Sequence, residues 1–189
     1  MTSKPLTQPS PADPDPAALP PAGPGDRRTG CALADLAATE GLARRLAAGL
    51  AHLDGPLALC LWGTLGVGKT TLVRALIAAA AGRPVEVPSP TFTLVQVYDL
   101  PFGPLWHFDL YRLADPAEIV ELGWDEALAE GVACVEWPDR LGGLLPPRRL
   151  DLALGFPAGP PRPGAEDRRS LGLLARGAAA ATLIEGLGT

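Results

Sequence analysis

Gly63-Thr64-Leu65-Gly66-Val67-Gly68-Lys69-Thr70 stands between the apolar run Leu57-Ala58-Leu59-Cys60-Leu61-Trp62 and the helix-forming run from Leu72 to Ala80. Strand, glycine turn and helix in that order make a complete phosphate-binding loop, or P-loop. Glycine permits backbone conformations that a β-carbon obstructs, so successive N–H groups converge on phosphate oxygens at the positive end of the new helix. Lys69 then offers a point charge to the β- and γ-phosphates, and the Thr70 hydroxyl a ligand to magnesium. A glycine-rich turn that binds nothing is the bland alternative, and the flanking strand and helix patterns weigh against it.

Upstream of that unit the composition changes. Eight of the first 24 residues of the 189 are proline, without an apolar period, and such a segment buries too little surface to offset its ordering entropy. Residues 1 to about 28 are therefore expected to be a disordered Pro-rich tail, and 29–189 one P-loop ATPase domain of ordinary size. The tail lacks the basic start and continuous apolar core of a secretory signal. No run approaches the ~20 apolar residues of a membrane span, so the expectation is a soluble, cytoplasmic protein that does not engage membrane. Cys31, Cys60 and Cys134 are widely spaced, form no Cys-x-x-Cys pair, and suit reduced core positions. The net charge of −5 argues against a broad nucleic-acid face. Any role in an RNA pathway would run through protein partners, with RNA met only indirectly.

The remaining pattern alternates helix and strand. Cys31–Ala34 suggests a short first strand, Asp35 an N-cap, and Leu42, Leu46, Leu50 and Leu53 one amphipathic helix. The P-loop helix runs to Ala80 or Ala81, stopped by Gly82 and Pro84. Leu94–Tyr98 and Leu105–Tyr111, joined by a short turn, should pair antiparallel. Asp115-Pro116 starts a helix, Trp124–Ala129 makes another, and Val132–Val135, Leu150–Phe156 and Ser170–Ala175 are strands before a terminal helix over Ala178–Leu187. A Pro/Gly cluster at 157–164 reads as a surface loop. The predicted fold is α/β, a P-loop NTPase-like three-layer sandwich whose mixed sheet is parallel near the P-loop and carries an antiparallel hairpin portion.

Nucleotide hydrolysis also needs an acid beside magnesium and a group that orients water. Such acids sit at the carboxyl ends of strands next to the P-loop strand, and two fit. Glu136 follows the wholly apolar Val132–Val135, and Asp109 lies in Trp106–Leu110. Asp109 has a structural alternative as acceptor for Tyr111 or a backbone turn, and Glu136 as a partner of Arg140. Trp137 is equally readable as core packing. His107, just before Phe108-Asp109, at most lines the site. Pro88 and Pro90 stiffen the hydroxyl-bearing stretch Ser89-Pro90-Thr91-Phe92-Thr93, where Thr91 could approach the γ-phosphate or the metal shell as switch segments do, or the stretch is merely a turn.

The series Gly63–Thr71, then Ser89–Leu94, then His107-Phe108-Asp109-Leu110-Tyr111-Arg112-Leu113 with Asp115-Pro116, then Val135-Glu136-Trp137-Pro138 resembles the bacterial TsaE (YjeE) family over about Ala32 to Ala175. The resemblance implies a small ATPase that works with TsaB and TsaD to modify the adenosine beside the anticodon of ANN-decoding tRNAs, with ATP and Mg²⁺ as cofactors. It implies Mg²⁺ held by Thr70 and Glu136, and Lys69, Asp109, Glu136 and Trp137 needed for activity. Nucleotide contacts follow at Gly63, Thr64, Leu65, Gly66, Val67, Gly68, Lys69, Thr70, Thr71 and Thr91. Thr39 matches a family Thr near the adenine, and Arg168 or Arg169 matches a late Arg that approaches the nucleotide. Two other functions compete: a small-molecule or nucleoside kinase, faintly suggested by Asp109-Leu110-Tyr111-Arg112 but without an Arg-rich lid, and a non-catalytic nucleotide-gated adaptor.

Overall fold

In the computed structural model, residues 19–157 and 166–188 are described. Seven strands form one mixed sheet: β1 (Arg27–Leu33), β2 (Leu57–Trp62), β3 (Val95–Leu100), β4 (Gly103–Asp109), β5 (Val132–Glu136), β6 (Arg149–Gly155) and β7 (Arg169–Arg176). Their order is β1-β7-β6-β2-β5-β4-β3. Every residue of β2 is buried, as befits a strand covered on both faces and flanked by parallel neighbours, β5 on one side and β6 on the other. The β4–β5 pair is also parallel, whereas β3–β4, β6–β7 and β1–β7 are antiparallel. The expected hairpin is thus present, and the far side of the sheet is antiparallel as well.

Three layers result. One face packs helices α1 (Leu36–Leu50), α2 (Lys69–Ala81) and α4 (Ala178–Gly186) through a leucine-rich core that includes Leu42, Leu46, Leu59, Leu72, Leu76 and Leu152. The opposite face packs α3 (Trp124–Glu130) and the 3₁₀ turns Pro116–Leu122 and Pro138–Leu144 against Ala58, Cys60, Phe108 and Val135. Alternation along β2 sends Leu57, Leu59 and Leu61 to the first face and Ala58, Cys60 and Trp62 to the second. Asp35 caps α1 by accepting from the Ala38 N–H, and Gly82 ends α2 in the left-handed conformation. Among the described residues, no helix is long and apolar enough to cross a membrane.

Some expectations shift. The first strand is Arg27–Leu33, not Cys31–Ala34, and begins inside the segment assigned to the tail. Leu19–Asp26 are held as well: Arg176 donates to the Asp26 carboxylate and to the Pro21 carbonyl, and Leu19 packs on Ala153 and its neighbours. Composition undervalued this stretch because its partners come from β6 and β7, more than a hundred residues away. The rest of the expected tail and most of the 157–164 cluster lie outside the described residues. Strand β4 stops at Asp109, where the carboxylate turns back to accept from the Tyr111 N–H, and Leu110–Arg112 form a 3₁₀ turn.

Candidate active site at the carboxyl ends of the central strands

The loop after β2 is shaped by three glycines at positive φ, Gly63, Gly66 and Gly68. Gly63 has φ 138°, and a β-carbon there would run into the Leu154 carbonyl and the Val67 side chain. Gly68 has φ 110° and serves as N-cap of α2 without any side-chain cap. The first intrahelical bond runs from the Leu72 N–H to the Gly68 carbonyl, so the N–H groups of Lys69, Thr70 and Thr71 face the loop's concavity without helical partners. That is an anion cradle at a helix N-terminus.

Lys69 is buried and donates to the carbonyls of Gly63 (2.7 Å) and Thr64 (3.0 Å). Burial pulls its ammonium below the usual lysine range, opposed by the carboxylates of Glu136, Asp109 and Asp139. The charge is thus turned onto its own loop, and anionic phosphate is a stronger acceptor than either carbonyl.

Two strands bring the acids. In the parallel β4–β5 register Asp109 stands opposite Glu136, and His107 opposite Cys134. The two-residue period sends His107, Asp109 and Glu136 to the face that carries α2. Glu136 Oε2 accepts from the Thr70 hydroxyl at 2.9 Å, and Oε1 lies 2.8 Å from His107 Nε2. Arg140 instead pairs with Asp139, which removes the surface-pair alternative for Glu136. Asp109 Oδ2 accepts from Thr91 (2.8 Å) and Ser89 (3.2 Å), while Oδ1 accepts from the Tyr111 N–H. The hydroxyl segment is therefore tied to the second acid.

Trp137 closes the constellation from above. Its backbone is left-handed, φ 60° and ψ 53°, a conformation that costs a bulky residue of order 1–3 kcal/mol. The ring lies 3.9 Å from Lys69 Nζ and 4.8 Å from the Tyr111 ring. Trp137 both packs against the core of the second face and lines the cleft. That cleft measures about 200 Å³, and its walls include Leu65, Gly66, Gly68, Lys69, Thr70, Thr71, Ser89, Thr91, Asp109, Tyr111, Glu136 and Trp137.

Other expected residues fall outside this wall. Gly63, Thr64 and Val67 shape the loop from behind. Thr39 lies on α1, with its hydroxyl donating to the Asp35 carbonyl at 3.3 Å, and is not part of the cleft wall. Arg168 is exposed; the loop is reached by its neighbour Arg169, which donates to the Val67 carbonyl at 2.8 Å and stacks on Phe156. The turn before β7 separates the two arginines. Ser89 and Tyr111 also belong to the wall, and His107 stands behind it. Only the strand period around His107 hinted at its place.

Magnesium prefers oxygen ligands and in phosphate sites takes one or two protein oxygens, the rest from phosphate and water. The Thr70 hydroxyl and the Glu136 carboxylate, side by side under the cradle, fit that demand. Among the described residues no group of three or more His, Cys, Asp or Glu gathers as a metal cluster, and this cation does not require one.

Comparisons with known proteins bear on the family and the fold. Residues 33–158 match the family described as "Threonylcarbamoyl adenosine biosynthesis protein TsaE". The chain is 42% identical over 92 residues to "tRNA threonylcarbamoyladenosine biosynthesis protein TsaE" of Rickettsia bellii, a match covering 49% of this chain and 64% of that protein. It is 46% identical over 89 residues to the protein of the same name from Aquifex aeolicus, covering 47% and 62%. Each match thus spans somewhat under two thirds of the relative. The crystal structure of "Bacillus subtilus YdiB" superposes with a TM-score of 0.65 at 27% identity, over 86% of this chain and 95% of that one. With its fold, phosphate loop and family match in accord, this chain belongs to the TsaE family.

Proposed function

We propose that this protein is a Mg²⁺-dependent ATPase that acts with TsaB and TsaD in threonylcarbamoyladenosine modification of the adenosine beside the anticodon of ANN-decoding tRNAs. The observation that carries the reading is the convergence of a P-loop threonine and a strand-end glutamate: Thr70 Oγ1 to Glu136 Oε2 at 2.9 Å, beneath the unpaired N–H groups of α2. Family membership supplies the pathway.

In this reading the N–H groups of the loop and of the first turn of α2 grip the β- and γ-phosphates, and Lys69 exchanges the Gly63 and Thr64 carbonyls for phosphate oxygens. Thr70 and Glu136 would hold magnesium, which when bound would supply positive charge against that developing on the phosphates. Asp109 holds Ser89 and Thr91 against the cleft; when those hydroxyls turn toward the γ-phosphate, its carboxylate is released to accept a hydrogen bond from the attacking water. Trp137 covers Lys69 and excludes bulk solvent. No arginine is among the cleft residues, so the isolated chain hydrolyses slowly and accelerates when TsaB–TsaD completes the site. The test is an ATPase assay and pull-down with TsaB–TsaD and tRNA, comparing wild type with Lys69→Ala. Full activity without partners, or equal activity of the two proteins, overturns the reading.

A further inference from the structure

His107 is 0% exposed, on the strand beside Glu136, and its Nε2 is 2.8 Å from Glu136 Oε1. An ionised carboxylate only accepts, so Nε2 carries the hydrogen and donates. Nδ1, also buried, has no partner among the described residues. The ring therefore makes a single polar contact, and that contact is to the acid of the candidate site. Glu136 itself is buried, and its other oxygen takes the Thr70 hydroxyl. The Glu136 side chain has three rotatable torsions, the last of them broad, so its carboxylate needs a partner to fix its orientation. With Oε1 tethered from behind, Oε2 is the oxygen left facing Thr70 and the cleft. A buried imidazole with one nitrogen unsatisfied costs free energy, and a leucine would fill that space beside Leu105 and Cys134 without such a cost.

From this placement, and resting on the ATPase reading above, we infer that His107 is a positioning residue. It holds the Glu136 carboxylate by Oε1 so that Oε2 and Thr70 Oγ1 form a ready pair of oxygen ligands for the nucleotide-bound divalent cation. Outer partners of ligating groups affect metal affinity by about 10–100-fold, and an effect of that size on Mg²⁺ alone is expected here. Binding of metal-free nucleotide, which rests on the loop and Lys69, is independent of it.

The experiment measures ATP binding to the full chain by calorimetry, in EDTA and across a Mg²⁺ titration. It compares wild type, His107→Leu, His107→Gln, Glu136→Gln and the double variant His107→Leu/Glu136→Gln, each with a recorded melting temperature. The leucine variant should need about 10–100-fold more Mg²⁺ for half-maximal effect while its EDTA affinity stays within about twofold. Glutamine, whose amide nitrogen stands near the place of Nε2, should restore most of the loss. The double variant should need no more Mg²⁺ than Glu136→Gln, because two residues acting through one contact are not additive. If the leucine variant does not fold, His107→Asn, whose amide stands near Nδ1 instead, replaces it in the comparison with glutamine. An unchanged Mg²⁺ requirement in a folded leucine or asparagine variant, or equal losses with and without Mg²⁺, overturns the inference. Failure of the ATPase reading shows separately, as wild type that binds no ATP or is indifferent to Mg²⁺.

Discussion

Individual side chains divide into those that grip a ligand and those that shape the grip. Lys69→Ala should weaken ATP binding at least ~10-fold, since hydrogen bonds to charged groups contribute roughly 1.5–3 kcal/mol. Its melting temperature should stay within a few degrees of wild type, because the ammonium contacts two loop carbonyls and the cleft-lining Trp137 ring rather than the apolar core; calorimetry and thermal unfolding check both halves. Arg169→Ala should cost about tenfold in ATP affinity through the Val67 carbonyl it braces. Arg168→Ala should fall within about 0.5 kcal/mol of wild type, as exposed positions do. The cysteines give a pH test. Burial raises the thiols of Cys60 and Cys134, reinforced by Asp151 and Glu136 respectively. They stay protonated when folded, while in the unfolded chain they ionise from about pH 8.5. The folded state then holds more protons, so these thiols withdraw stability as pH rises above that value. Iodoacetamide at neutral pH should modify Cys31 alone in the native protein, and all three thiols in urea. That Lys69, Thr70, Asp109 and Glu136 would gather at one cleft was legible from residue type and spacing. His107 and the choice of Arg169 over Arg168 were not, since both depend on where neighbouring strands place a side chain.

Elements set the geometry that those side chains exploit. The passage from β2 to α2 was readable because its turn demands glycine: Gly63→Ala, with positive φ and no room for a β-carbon, should destabilise by about 2–4 kcal/mol in urea unfolding and weaken ATP binding. Strand boundaries were less readable. Asp109 ends β4 rather than sitting inside it, because its side chain competes with the ladder for the Tyr111 N–H. Local hydrogen bonding of this kind leaves no mark in hydrophobic periodicity. The helix expected from Asp115-Pro116 starts where the cap and proline predict, yet it remains a 3₁₀ turn and ends at Gly123, which is left-handed.

Across the whole molecule, one buried charge network joins segments that are distant in the chain. Asp151, 0% exposed, accepts from Trp62, Arg149 and Arg176, and Arg176 reaches Asp26 as well. Asp151→Ala leaves two guanidinium groups without their buried anion and should cost about 3–5 kcal/mol by urea unfolding. Because Trp62 immediately precedes the P-loop, reduced ATP affinity should accompany the loss. A single linear reading determined the α/β class, the phosphate loop, the order of most elements and the identity of both acids, because glycine requirements, caps and apolar periods act over a few residues. Only the folded sheet decided that Glu136 lies between Thr70 and His107, that Asp109 is bound to Ser89 and Thr91, and that the stretch before β1 is anchored by Arg176. Those relations depend on strand order and register, which bring together residues far apart along the chain that no local period connects.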